Sequence, residues 1–136
     1  MPDARLAGVN RPISPSSIAA PAANYAHAVL TTEASRWLHT SGVVPVAAGG
    51  VVPDGVDAQA RVVWSNIAAM LAEADMEPTD VVSVTTYVVV GERLAPVMDA
   101  RDDFLGGHLA ASTWVTVPEL ARPDWPLEIA IVAAAS

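Results

Sequence analysis

Residues 104–120 read FLGGHLAASTWVTVPEL, and residues 126–134 read PLEIAIVAA. Gly106-Gly107, just after Phe104 and Leu105, terminate a helix. Thr113, Val115 and Val117 then fall on one side of a strand, with Trp114 and Thr116 on the other. Ala121-Arg122-Pro123-Asp124 forms a connecting loop, and 127–132 alternates again as a last strand.

Upstream, Leu94, Val97, Met98, Arg101, Phe104 and Leu105 make a helical stripe, with Pro96 tolerated in its first turn. Residues 81–90 are dense in β-branched side chains and are expected as a strand buried on both faces. Over 56–74 the period is helical: Val56, Ala60, Val63, Ile67, Met70, Leu71 and Ala74 form one apolar stripe, Asp54 or Asp57 is the expected N-cap, and Pro78 ends the segment. Two strands are expected at 26–33 and 36–46, with a turn at Glu33-Ala34-Ser35 and a loop at 47–55. Residues 1–22, rich in Pro, Ser and Ala, are expected as an arm, and 23–136 as a single domain. The order is ββ-α-β-α-ββ, an α+β pattern. An antiparallel or mixed sheet with both helices on one face buries each stripe. The other face then needs cover, and with no third long helix it falls to a second copy of the chain.

Composition limits the chemistry. The net charge is −8, all seven basic residues are Arg, and there is no Cys. Nucleic-acid binding is disfavoured because no basic stripe exists to neutralise phosphates. Lysine Schiff-base chemistry, thiolate catalysis, disulfides and zinc-thiolate sites are excluded. No apolar run reaches the roughly 18 residues that span a bilayer. No secretory signal opens the chain, so the cytoplasm is the expected compartment. Hydrophobic residues make up 52% of the chain and the mean hydropathy is +0.37, which suits a large apolar subunit interface. His27, His39 and His108 have no paired metal-ligand spacing, so no metal is expected. Gly49-Gly50 and Gly106-Gly107 match no phosphate-binding pattern, so no cofactor is implied.

Six segments in order, PAANYAHAV, HTSGVVPV, DAQARVVWSNIAAMLAEA, TDVVSVTTYV, FLGGHLAASTWVTV and LEIAIVAA, resemble the RidA/YjgF family of small proteins. Gln59, Arg61 and Asn66 fall in register within the third. The resemblance covers nearly all of the chain after the arm. It implies a chorismate-mutase-like fold with a six-stranded mixed sheet, two helices packed on one face, a homotrimer, and ligand pockets between neighbouring subunits. It also implies a pocket lined by Tyr25, by the Ser41-Gly42 backbone and by Glu128, together with an arginine that grips a substrate carboxylate while water attacks an imine carbon.

That arginine is the point of departure. Active members read A-R-[ST]; this chain reads Ala111-Ser112-Thr113. Planar, bidentate geometry suits Arg to a carboxylate, and one hydroxyl does not replace it. Losing a buried charge-assisted pair costs about 2–5 kcal/mol, so a 2-iminoacid should be handled poorly unless another arginine, Arg122 or Arg36, fills the gap. Glu128 reads either as an ordinary outward-facing strand residue or as a pocket carboxylate that activates water. Tyr25 reads as packing or as a ligand-stacking group. Ser41 lacks any triad or nucleophile-elbow context, so its expected use is to shape the turn and present backbone N–H groups. Thr113 neighbours Ser112. Trp114, expected to point away from Ser112, is either packing or a wall that narrows the pocket. With the arginine missing, a pocket around Glu128 should prefer a neutral or cationic ligand.

Three readings stay open. The first is a diverged enzyme acting on an imine or enamine, or running a related addition or dehydration, without the usual carboxylate. The second is a 2-iminoacid deaminase with a relocated arginine. The third is a binding or regulatory trimer without turnover. Ribonuclease activity, described for some relatives, fits the charge least.

Overall fold

Apolar spacing decides the two helices. In the computed structural model, which describes residues 9–136, α1 (Val56–Glu73) buries Val56, Ala60, Val63, Trp64, Ile67 and Leu71, and α2 (Leu94–Leu105) buries Val97, Ala100, Arg101 and Leu105. Met70, expected in the α1 stripe, is exposed, and Trp64 takes a place in the core. Neither Asp54 nor Asp57 caps α1. The N-cap is Gly55 at φ 88°, and Asp57 sits in the first turn, where a negative charge favours the helix dipole. α2 ends as expected, with Gly106 left-handed at φ 58° and its N–H bonded to Asp102 C=O.

The strands are β1 (Asn10–Ile13), β2 (Ala28–Thr31), β3 (Arg36–His39), β4 (Val81–Val89), β5 (Ala111–Val117) and β6 (Leu127–Ala135). β1 lies within the stretch expected to be an arm; residues 1–8 of that stretch lie outside the described residues. Six strands are present, yet they form two sheets: an antiparallel β1–β2 pair and a mixed sheet in the order β3–β6–β4–β5. The left-handed residue Glu33, at φ 56°, turns the chain between β2 and β3. The small sheet joins the large one at a parallel bridge between Ala26 and Ala111 and through Asn10 Nδ2, which donates to Ala134 C=O at 2.8 Å.

β4 and β5 run parallel, while β6 is antiparallel to both β4 and β3. Val84, Val88, Leu127, Ile129 and Ile131 pack with both helices in one core. β4 is not buried on both faces as expected. It alternates, with Thr85, Tyr87 and Val89 half-buried on the side away from the helices. Tyr87 pairs with Val115 on one side and Glu128 on the other, and Val115 is 38% exposed. Both helices having gone to the opposite face, this one is covered only at one end, where Ala134 is fully buried beside the β1–β2 pair, and stays half-open around Tyr87 and Val115. No helix among the described residues is long and apolar enough to cross a membrane.

Candidate functional site

β3 stops at His39, near the end of the alternation at Thr40 and short of the expected strand end at Val46, because the ladder with β6 takes up one extra residue. Thr40 N–H donates to Ile131 C=O at 3.0 Å, and Val43 N–H donates to Ile129 C=O at 2.7 Å. Three steps along one chain thus face two along the other, which is the geometry of a β-bulge. Ser41 and Gly42 form it, and among the described residues their N–H groups make no hydrogen bond. Thr40 Oγ1 pins the bulge by accepting from Ile131 N–H at 2.9 Å.

Glu128 lies against this bulge. A Cβ on Gly42 would collide with the Glu128 side chain through its carboxylate oxygen, Cδ and Cγ. Gly42 is therefore needed for close approach and not for a positive φ, since its φ lies outside the left-handed range. Among the described residues the Glu128 carboxylate has no hydrogen bond or ion pair. A partnerless acceptor beside two unpaired backbone donors is suited to hold and polarise water. Ser41 and Gly42 also line a groove of about 440 Å³ with Leu38, Thr40, Asn66 and Met70.

Tyr25 and Ser112, the second group, each lie one residue from the bridged pair Ala26 and Ala111 at the start of β5. Ala26 N–H donates to Ala110 C=O at 2.9 Å, which sets Tyr25 beside the strand. Its phenolic oxygen accepts from Ala22 N–H at 3.2 Å, and its ring meets His27 edge-on. Ser112 pairs with buried Val84 and so faces the helices. Trp114 pairs with Thr86 and shares that face with Ser112. It does not point away, as expected, because residues two apart in a regular strand lie on one side. Its indole packs on the core, with Nε1 buried and unpartnered. Thr113 is exposed on the open face beside Thr85.

Neither expected substitute arginine reaches Ser112. Arg36 is spent on backbone carbonyls: Nη1 donates to Ala74 and Asp75 at 2.7 and 3.2 Å, and Nε and Nη2 donate to Ser136 at 3.3 Å. Arg122 stacks over Trp125 at 5.7 Å, in the loop beyond the far end of β5. The cation beside Ser112 is Arg101 of α2, whose Nη1 donates to Ser112 Oγ at 3.3 Å. A charged residue inside an apolar helical stripe was the sequence signal for it.

The two groups do not meet within one chain. Ser112 and Glu128 differ by three residues in register and by two strands, on opposite faces of the sheet, which puts them about 14 Å apart. No group of His, Cys, Asp and Glu that could hold a metal exists among the described residues.

An α+β unit with one covered sheet face and a carboxylate-over-glycine bulge defines the class of protein. A family model described as Endoribonuclease L-PSP matches residues 16–135, and the chain belongs to this family, that of the Rid/YjgF proteins. It is similar to a Rid protein of unknown function from Yersinia pestis, at 30% identity over 93% of this chain and 98% of that one, with a TM-score of 0.82. It shares its fold with E. coli TdcF solved with bound serine, at 23% identity over 93% and 99% of the chains, with a TM-score of 0.68. A YjgF-family protein from Mycobacterium tuberculosis matches at 23% identity over 82% and 86%, with a TM-score of 0.64. Comparison with curated proteins gave no match.

Proposed function

We propose that this chain is a small-molecule enzyme that hydrolyses an imine or enamine lacking a carboxylate at the usual place, in a pocket completed by a neighbouring copy in a homotrimer. The observation that carries this reading is the Glu128 carboxylate lying over Gly42, which, like the N–H groups of Ser41 and Gly42, has no partner among the described residues. Glu128 takes a proton from water as the hydroxyl adds to the C=N carbon, and the nitrogen is protonated. Collapse of the carbinolamine then releases ammonia and leaves a carbonyl. The bound serine of E. coli TdcF supports a small polar ligand. The separation of Tyr25 and Ser112 from Ser41, Gly42 and Glu128 supports a pocket assembled from two protomers, as does an open sheet face carrying Val115 and Tyr87.

The test generates a carboxylate-free imine with an amine oxidase and follows ammonia release. Acceleration over buffer supports the reading; none removes it. Gly42→Ala should lower kcat by about 10²-fold with little change in Tm, because the methyl displaces the carboxylate from the reacting water while the backbone accepts alanine. Unchanged kcat would contradict the role given to the close approach.

The absence of a family arginine at Ser112 favours a second reading, a ligand-binding trimer without turnover. Glu128→Ala separates the two: an enzyme loses turnover, whereas a binder keeps its ligand affinity and assembly. A cytoplasmic location belongs to the same proposal.

A further inference from the structure

Arg101 is 3% exposed and is the only buried charged side chain among the described residues. Its Nε and Nη2 lie 3.1 and 3.0 Å from Asp102 Oδ1, and Asn24 Nδ2 donates to Asp102 Oδ2 at 3.0 Å. The guanidinium is thus neutralised inside the chain and shielded from solvent, although Nη2 meets the carboxylate as an ion pair without a hydrogen bond among the described residues. Its remaining contact is Nη1, which donates to Ser112 Oγ at 3.3 Å.

Ser112 is half-buried on the edge strand β5. Its oxygen accepts from a cation, and among the described residues its single hydrogen has no acceptor. A hydroxyl polarised in this way is a stronger donor. A second carboxylate there would compete with Asp102 for the same guanidinium and repel it. An uncharged oxygen meets neither cost.

We propose that the Arg101–Asp102 pair makes Ser112 a neutral hydrogen-bond donor, so that the site recognises an uncharged carbonyl oxygen, as in an amide, where a carboxylate would otherwise be held. Arg101 is then a positioning residue that sets specificity without touching the substrate. This rests on the pocket reading above, but it concerns binding and not turnover.

Pyruvamide and pyruvate share a skeleton and differ in charge at this one group. Calorimetry with the intact protein should find the amide bound about tenfold tighter, the equivalent of one well-placed hydrogen bond. Arg101→Lys should keep that order, Arg101→Met should erase it, and Ser112→Arg combined with Arg101→Ala should reverse it. Pyruvate binding as tightly as pyruvamide to the unaltered protein, or no binding of pyruvamide, would overturn the proposal without any variant needing to fold. A protein that prefers the amide yet hydrolyses no imine would leave this inference standing and remove the hydrolytic one.

Discussion

Glu128→Gln is expected to lower imine hydrolysis by about 10²–10⁴-fold, the range a positioned general base supplies. Glutamine keeps the shape that lies over Gly42 but cannot take a proton from water. Its nearest side-chain neighbours along the ladder offer no replacement: Tyr87 stands opposite on β4, and Leu127 and Ile129 point into the core. Assembly and Tm should be unchanged, since the carboxylate makes no bond that holds the fold among the described residues. The measurement is ammonia release under saturating imine, with the oligomeric state checked by light scattering. Full activity in the variant would move the proton transfer elsewhere.

Asp102→Ala is expected to destabilise the fold by about 3–5 kcal/mol, because it strands a buried guanidinium whose main counter-charge is gone. Arg101→Met should cost clearly less. The carboxylate it leaves behind is 29% exposed, and Asn24 already donates to it, so water and that amide can solvate it. Arg101 also lies on the buried face of α2, where methionine fills similar volume. Chemical denaturation of both variants tests the asymmetry. Equal losses would mean that the stranded guanidinium costs no more than the stranded carboxylate, and would contradict the asymmetry.

The helices were legible because amphipathic spacing over twelve or more residues has few alternative explanations; α2 falls on the expected bounds and α1 ends one residue early. β4 was legible as a strand from its β-branched run, but not as half-open. A face rich in Thr, Tyr and Val reads as interior in sequence, whether its cover is a helix or another chain. β1 was hidden, since Asn10-Arg11-Pro12-Ile13 has no alternation and proline usually argues against a strand. Pro12 is accommodated here in a two-stranded edge pair. Of the candidate site, Glu128 and Gly42 were named from resemblance, but their contact depends on a one-residue bulge that no periodicity reveals. The sequence points to Arg36 and Arg122, next to strands, as substitutes for the missing arginine at Ser112. The cation beside Ser112 comes instead from the helix stripe, where Arg101 falls in register with the apolar residues.

The separation of the two residue groups within one chain makes complementation the most direct test of a shared pocket. Glu128→Gln and Tyr25→Ala proteins, each inactive alone, would be unfolded together in equal amounts and refolded. A pocket built across two protomers predicts that about one quarter of the sites regain both intact halves, as random pairing of subunits requires. A mixture as inactive as its parents would contradict the shared pocket and return the chemistry to a single chain.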